Sequence, residues 1–98
     1  MTPEGKVVEY LKRRAKALGG ATRKVQWVGH TGAPDQLVLL NGIAAFVECK
    51  APGKKPTRIQ EREMALLKTS GLQAYVVDGK ESIDCLLYFL TQEGAKHE

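Results

Sequence analysis

A chain of 98 residues, 43% hydrophobic and 27% charged, has room for one domain spanning 1–98 and a core without much reserve. No apolar run approaches the roughly 18 residues of a membrane span, and the N-terminus lacks a signal-like apolar stretch, so a cytoplasmic protein without a membrane partner is expected. Cys49 and Cys85 have neither zinc-site nor disulfide-framework spacing. Both read as small buried apolar residues, with Cys49 turned away from the Glu48/Lys50 face. The formal charge of +4 and a pI near 9.2 favour a polyanionic partner. Placement says more than the total: Lys50, Lys54, Lys55 and Arg58 form one basic group, and Lys12, Arg13, Arg14 and Lys16 another.

The first helix is predicted over residues 3–18. Thr2 suits the N-cap, Pro3 the first helical position, and Gly19-Gly20 the stop. Its apolar stripe is Val8, Leu11, Ala15 and Leu18, with Val7 alongside. Glu4 stands one turn ahead of that stripe, where helix-dipole stabilisation already accounts for a first-turn acid. A strand is expected over 24–28 with Val25 and Trp27 on one face, followed by a turn at His30-Thr31-Gly32-Ala33-Pro34. Strands at 35–40 and 43–50 are apolar on both faces, the pattern of a central sheet covered by helices. A basic loop, residues 51–56, leads to a second helix over 57–70 that opens with a Thr57–Gln60 capping box. Gln60 also lies one turn before Met64, on the core-facing side. Capping and lining a site are thus competing uses of one amide. A fourth strand at 73–77 and a final helix at 80–90 follow. Ile83, Leu86, Leu87 and Leu90 form the core stripe of that helix. Tyr88 and Phe89 widen its apolar surface, to be covered by a second subunit or by the C-terminal tail. Residues 91–98 are expected to fray. The order is α-β-β-β-α-β-α, an α/β (α+β) fold with a central mixed sheet flanked by helices.

The chemistry concentrates in the hairpin. Asn41-Gly42 suits a two-residue turn, because both residues tolerate positive φ. The register that follows sets Asp35 opposite Glu48 on a non-hydrogen-bonded pair, about 4.5 Å between Cα atoms. Lys50 shares the Glu48 face by alternation. Facing carboxylates destabilise a sheet unless something offsets them. A shared divalent cation beside an ammonium is equipment for attacking a phosphodiester. Splayed acids at an exposed strand end, one of them neutralised by Lys50, are the alternative.

Helix-borne Glu4, Gly32-x-Pro34-Asp35, Glu48-Cys49-Lys50 and Gln60, in this order, resemble the VRR-NUC domains, the virus-type replication–repair branch of the PD-(D/E)XK nucleases. The resemblance runs from Glu4 to about Asp84 and implies a restriction-endonuclease-like core. It further implies a DNA endonuclease requiring Mg²⁺ or Mn²⁺. Asp35 and Glu48 would hold the ion through their side chains and Cys49 through its backbone carbonyl, with Glu4 completing the shell. Lys50 would orient or help deprotonate the attacking water, and Gln60 would position water or a phosphate oxygen. Lys54, Lys55, Arg58 and His30 would contact DNA. A homodimer in the cytoplasm of a phage-infected or bacterial cell is implied as well. Cys49 departs from the aliphatic residue usual before the lysine, and His30-Thr31 from a more basic turn. A non-catalytic DNA-binding or assembly module on the same fold is the competing function.

Overall fold

In a computed structural model, residues 1–96 are described. Helix α1 covers Pro3–Ala17. The Thr2 side chain accepts from the Gly5 amide at 2.9 Å, capping the helix start. Val7, Leu11 and Ala15 are the buried stripe. Leu18, expected to continue it, is the C-cap residue and stays exposed, because the chain has already left the helical spiral there.

Four strands follow in sheet order β1-β2-β3-β4: β1 Ala21–Lys24, β2 Gln36–Leu40, β3 Ile43–Cys49 and β4 Gln73–Val77. The first two pairings are antiparallel, and β3 pairs with β4 in parallel. Helix α2, Arg58–Thr69, makes the crossover between the parallel strands, and helix α3, Lys80–Lys96, closes the fold. Asn41 (φ 55°) and Gly42 (φ 81°) form the hairpin turn, and Leu40 faces Ile43 as the sequence implies. Asn41 Nδ2 also donates to the Thr91 carbonyl of α3 at 2.6 Å.

The first strand is displaced from its predicted place at 24–28. The ladder covers Ala21–Lys24 and continues only through the Val25 amide, which donates to the Asp35 carbonyl at 2.9 Å. Pro34 has no N–H to extend it. Trp27 instead tilts its ring against Phe46, centroids 5.3 Å apart, and its indole N–H donates to the Pro34 carbonyl at 2.6 Å. The β propensity of Val25 and Trp27 is thus overridden by a side-chain latch.

Helices α1 and α3 cover one sheet face, burying Val38, Leu40, Ala45, Val47, Cys49 and Val77. Helix α2 covers the other with Met64 and Leu67 against Ala74, Phe46 and Trp27. Ile83, Leu86, Leu87 and Leu90 are buried as expected, whereas Cys85 is exposed. The last helix continues past Leu90 to Lys96, so residues 91–96 are helical rather than frayed, while 97 and 98 lie outside the described residues. Tyr88 and Phe89 remain 67% and 43% exposed. Among the described residues no helix is long and apolar enough to cross a membrane.

Candidate active site

Glu48 is the penultimate residue of β3 and faces α2 beneath its first turn, 8% exposed. Gln36 pairs with Val47, so Asp35 enters the hairpin at the level of Glu48, one position beyond the ladder. Its main chain is fixed by the Val25 amide, and its carboxylate is exposed. Gly32 seats the loop before it. With φ at +86°, a Cβ there would lie 2.5 Å from Ile59 Cγ2, so only glycine lets the loop lie against the start of α2.

Lys50, immediately after β3, brings its Nζ to 3.7 Å from Glu48 Oε2. Both side chains are nearly enclosed, at 13% and 11% exposure. Gln60 reaches the same oxygen from α2, its Nε2 donating at 3.4 Å, a long hydrogen bond. The other end of that amide, Oε1, accepts from the Thr57 N–H at 2.9 Å, while the Thr57 hydroxyl accepts from the Gln60 N–H at 3.2 Å. The two uses the sequence sets in competition are made together: the oxygen caps the helix and the nitrogen holds Glu48.

Burial raises the Glu48 pKa above the usual glutamate value. Lys50 opposes the shift, while the charges of Asp35 and Glu4 add to it. Burial, and after it the charges of Asp35, Glu48 and Glu4, raise the Cys49 pKa to about 12, so the thiol stays neutral on the core face. Glu4 lies on the exposed first turn of α1 and makes no hydrogen bond or ion pair to Glu48 or Asp35 among the described residues. Its charge is a smaller cause of the Glu48 shift than burial, Lys50 or Asp35. Glu48 thus has one ammonium against it and the charges of Asp35 and Glu4 within electrostatic reach.

The remaining predicted residues make no hydrogen bond or ion pair with Glu48 or Lys50 among the described residues. Lys54, Lys55 and Arg58 are exposed along the 51–57 loop and the first turn of α2, and make no ion pair among the described residues. His30 is exposed in the turn after Trp27. Of the second basic group, Arg14 is engaged elsewhere, 3.4 Å from Asp84.

No family model matches the chain. A relative, "Putative nuclease p44" of Acyrthosiphon pisum secondary endosymbiont phage 1, is 43% identical over 79 residues, covering 80% of this chain and 85% of its own length. A solved structure described as "VRR_NUC domain" superposes with a TM-score of 0.82 at 40% identity, over 90% of this chain and 97% of that one. The chain belongs to the VRR-NUC family. Within this VRR-NUC domain, two features escape a reading of the sequence: the Trp27–Pro34 latch and the double use of Gln60. Trp27 next to a Gly-x-Pro-Asp loop is the signal for the first. For the second it is a capping glutamine one helical turn before the buried Met64.

Proposed function

We propose that this VRR-NUC domain is a divalent-metal-dependent DNA endonuclease, selective for DNA structure and serving replication or repair in the cytoplasm of a bacterial host. The observation that carries the reading is the buried Glu48 with Lys50 Nζ at 3.7 Å and Gln60 Nε2 at 3.4 Å, at the strand level where the hairpin register brings in Asp35. The nuclease named in the phage relative supports it.

The donors fit Mg²⁺ or Mn²⁺: carboxylates of Asp35 and Glu48, the Cys49 carbonyl, and Glu4 directly or through water. Such an ion, when bound, would polarise the scissile phosphate and neutralise its charge. Lys50, held beside Glu48, orients the attacking water and offsets charge growing on the phosphoryl oxygens. Gln60 keeps Glu48 turned toward the site. Lys54, Lys55, Arg58 and His30 meet the DNA backbone, a contact that carries no sequence information. A second copy covers Tyr88 and Phe89, making a homodimer with two sites.

The test is cutting of labelled branched and duplex DNA with Mg²⁺ or Mn²⁺. Asp35→Ala and Lys50→Ala are expected to cut about 10²-fold slower or worse, Lys50→Ala keeping most of its binding. Wild-type cutting by Lys50→Ala overturns the mechanism.

A further inference from the structure

Parallel strands β3 and β4 end side by side, where the Lys50 amide donates to the Val77 carbonyl at 2.8 Å. Beyond these ends, on the α1/α3 side, lies a cavity of about 360 Å³ lined by Pro3, Lys6, Val7, Tyr10, Pro52, Gly79 and Lys80. Open α/β sheets place ligands outside the carboxyl ends of their parallel strands. The volume falls within the roughly 300–1,000 Å³ of small-molecule sites.

Its lining has two parts. Lys6 and Lys80 supply two cations, no acid lines the cavity, and neither lysine makes an ion pair among the described residues. Pro3, Val7, Tyr10 and Pro52 supply an apolar wall. The wall is rigid: two members are prolines, and the Tyr10 hydroxyl donates to both Asp84 carboxylate oxygens at 2.9 Å. Asp84 is also paired with Arg14 at 3.4 Å and is not one of the residues lining the cavity. Lys80 Nζ stands 5.6 Å from the Tyr10 ring centroid, which holds the cation at the apolar wall. Cationic and apolar groups side by side match a nucleotide, charged at its phosphate and flat and apolar at its base.

The position links the cavity to the candidate active site. Pro3 precedes Glu4 in the chain, and Pro52 belongs to the loop that leaves Lys50. We propose that the cavity receives one unpaired nucleotide of the DNA strand, its phosphate on Lys6 and Lys80 and its sugar and base on Pro3, Val7, Tyr10 and Pro52. The assignment rests on the nuclease reading for its choice of ligand, and it names a substrate feature: a nucleotide freed from the duplex next to the cut.

The experiment titrates 5′-phosphorylated pentathymidylate into metal-free protein and follows amide chemical shifts. Shifts are expected at Tyr10, Gly79 and Lys80. Lys6→Gln/Lys80→Gln is expected to bind about tenfold more weakly. Inorganic phosphate alone is expected to bind more weakly than the oligonucleotide. Both lysines are exposed, so an unchanged melting temperature should accompany the variant. Unaltered affinity in the double variant overturns the proposal, as do shifts confined to residues 54–58 or phosphate binding as tightly as the oligonucleotide. Because the titration needs neither metal nor cutting, its failure removes the pocket and leaves the nuclease reading standing. Wild-type protein that cuts none of the labelled DNA with Mg²⁺ or Mn²⁺ removes the nuclease reading while the titration stands.

Discussion

The two ends of the Gln60 amide have different partners, and substitutions separate them. Gln60→Ala removes both side-chain contacts, leaves the Thr57 hydroxyl cap in place, and should cost about 0.5–1.5 kcal/mol for the lost bond to the Thr57 amide. Gln60→Glu still accepts from the Thr57 amide but gives Glu48 a like charge in place of a donor. Its cutting should fall further than its stability. Melting and cleavage measured on the same preparations check this, and wild-type cutting by Gln60→Glu would show the Glu48 contact to be idle. Glu48 itself ties stability to pH. Its pKa is raised in the fold, chiefly by burial, so folding favours the protonated form. That contribution is fully present below the ordinary glutamate pKa and is lost as pH rises through the raised value. Metal-free protein should therefore lose stability across this window, and Glu48→Gln should flatten the loss. Denaturant melts in chelator, taken as a pH series, make the measurement. A cation at about 100 times its Kd should restore about 2.7 kcal/mol to the wild type and much less to Glu48→Gln.

Among the elements, the loop from Val25 to Asp35 sets the geometry, and Gly32 is its tightest point. Gly32→Ala forces a Cβ against Ile59 at positive φ and should cost about 1–3 kcal/mol. Adding Ile59→Ala should recover part of that loss, because the nearest obstacle is the Ile59 side chain and the next are its backbone atoms at 3.2 Å. Urea unfolding of the single and double variants reads both effects. This loop is also where sequence and structure part. The hairpin was legible because its determinants are local: Asn41-Gly42 fixes the turn, the turn fixes the register, and the register brings Asp35 to Glu48. Helix α2 was legible from its capping box and its Met64/Leu67 spacing. The end of β1 was not, since an indole N–H took the place of ladder hydrogen bonds across seven residues of chain. The Tyr10–Asp84 bond spans 74 positions, and nothing near Tyr10 announces it.

On the scale of the molecule, the basic loop and the exposed face of α3 carry separate predictions. If Lys54, Lys55 and Arg58 each neutralise a phosphate, replacing all three with glutamine should flatten the log–log salt dependence of DNA binding by roughly 0.9 per contact. Affinities measured between about 50 and 200 mM salt give that slope. If a second copy covers this face, Tyr88→Glu should shift the wild-type sedimentation toward monomer with little loss of fold, because the Tyr88 ring is 67% exposed. The tether from Asn41 to Thr91 bears on fidelity of strand alignment. A hairpin that crept forward by a single residue would turn its alternation inside out, driving a carboxyl group among the aliphatic side chains beneath α1 and α3 and turning a valine to the face that holds Glu48. Pinning the far tip to the longest helix opposes that slide at the end where it would begin.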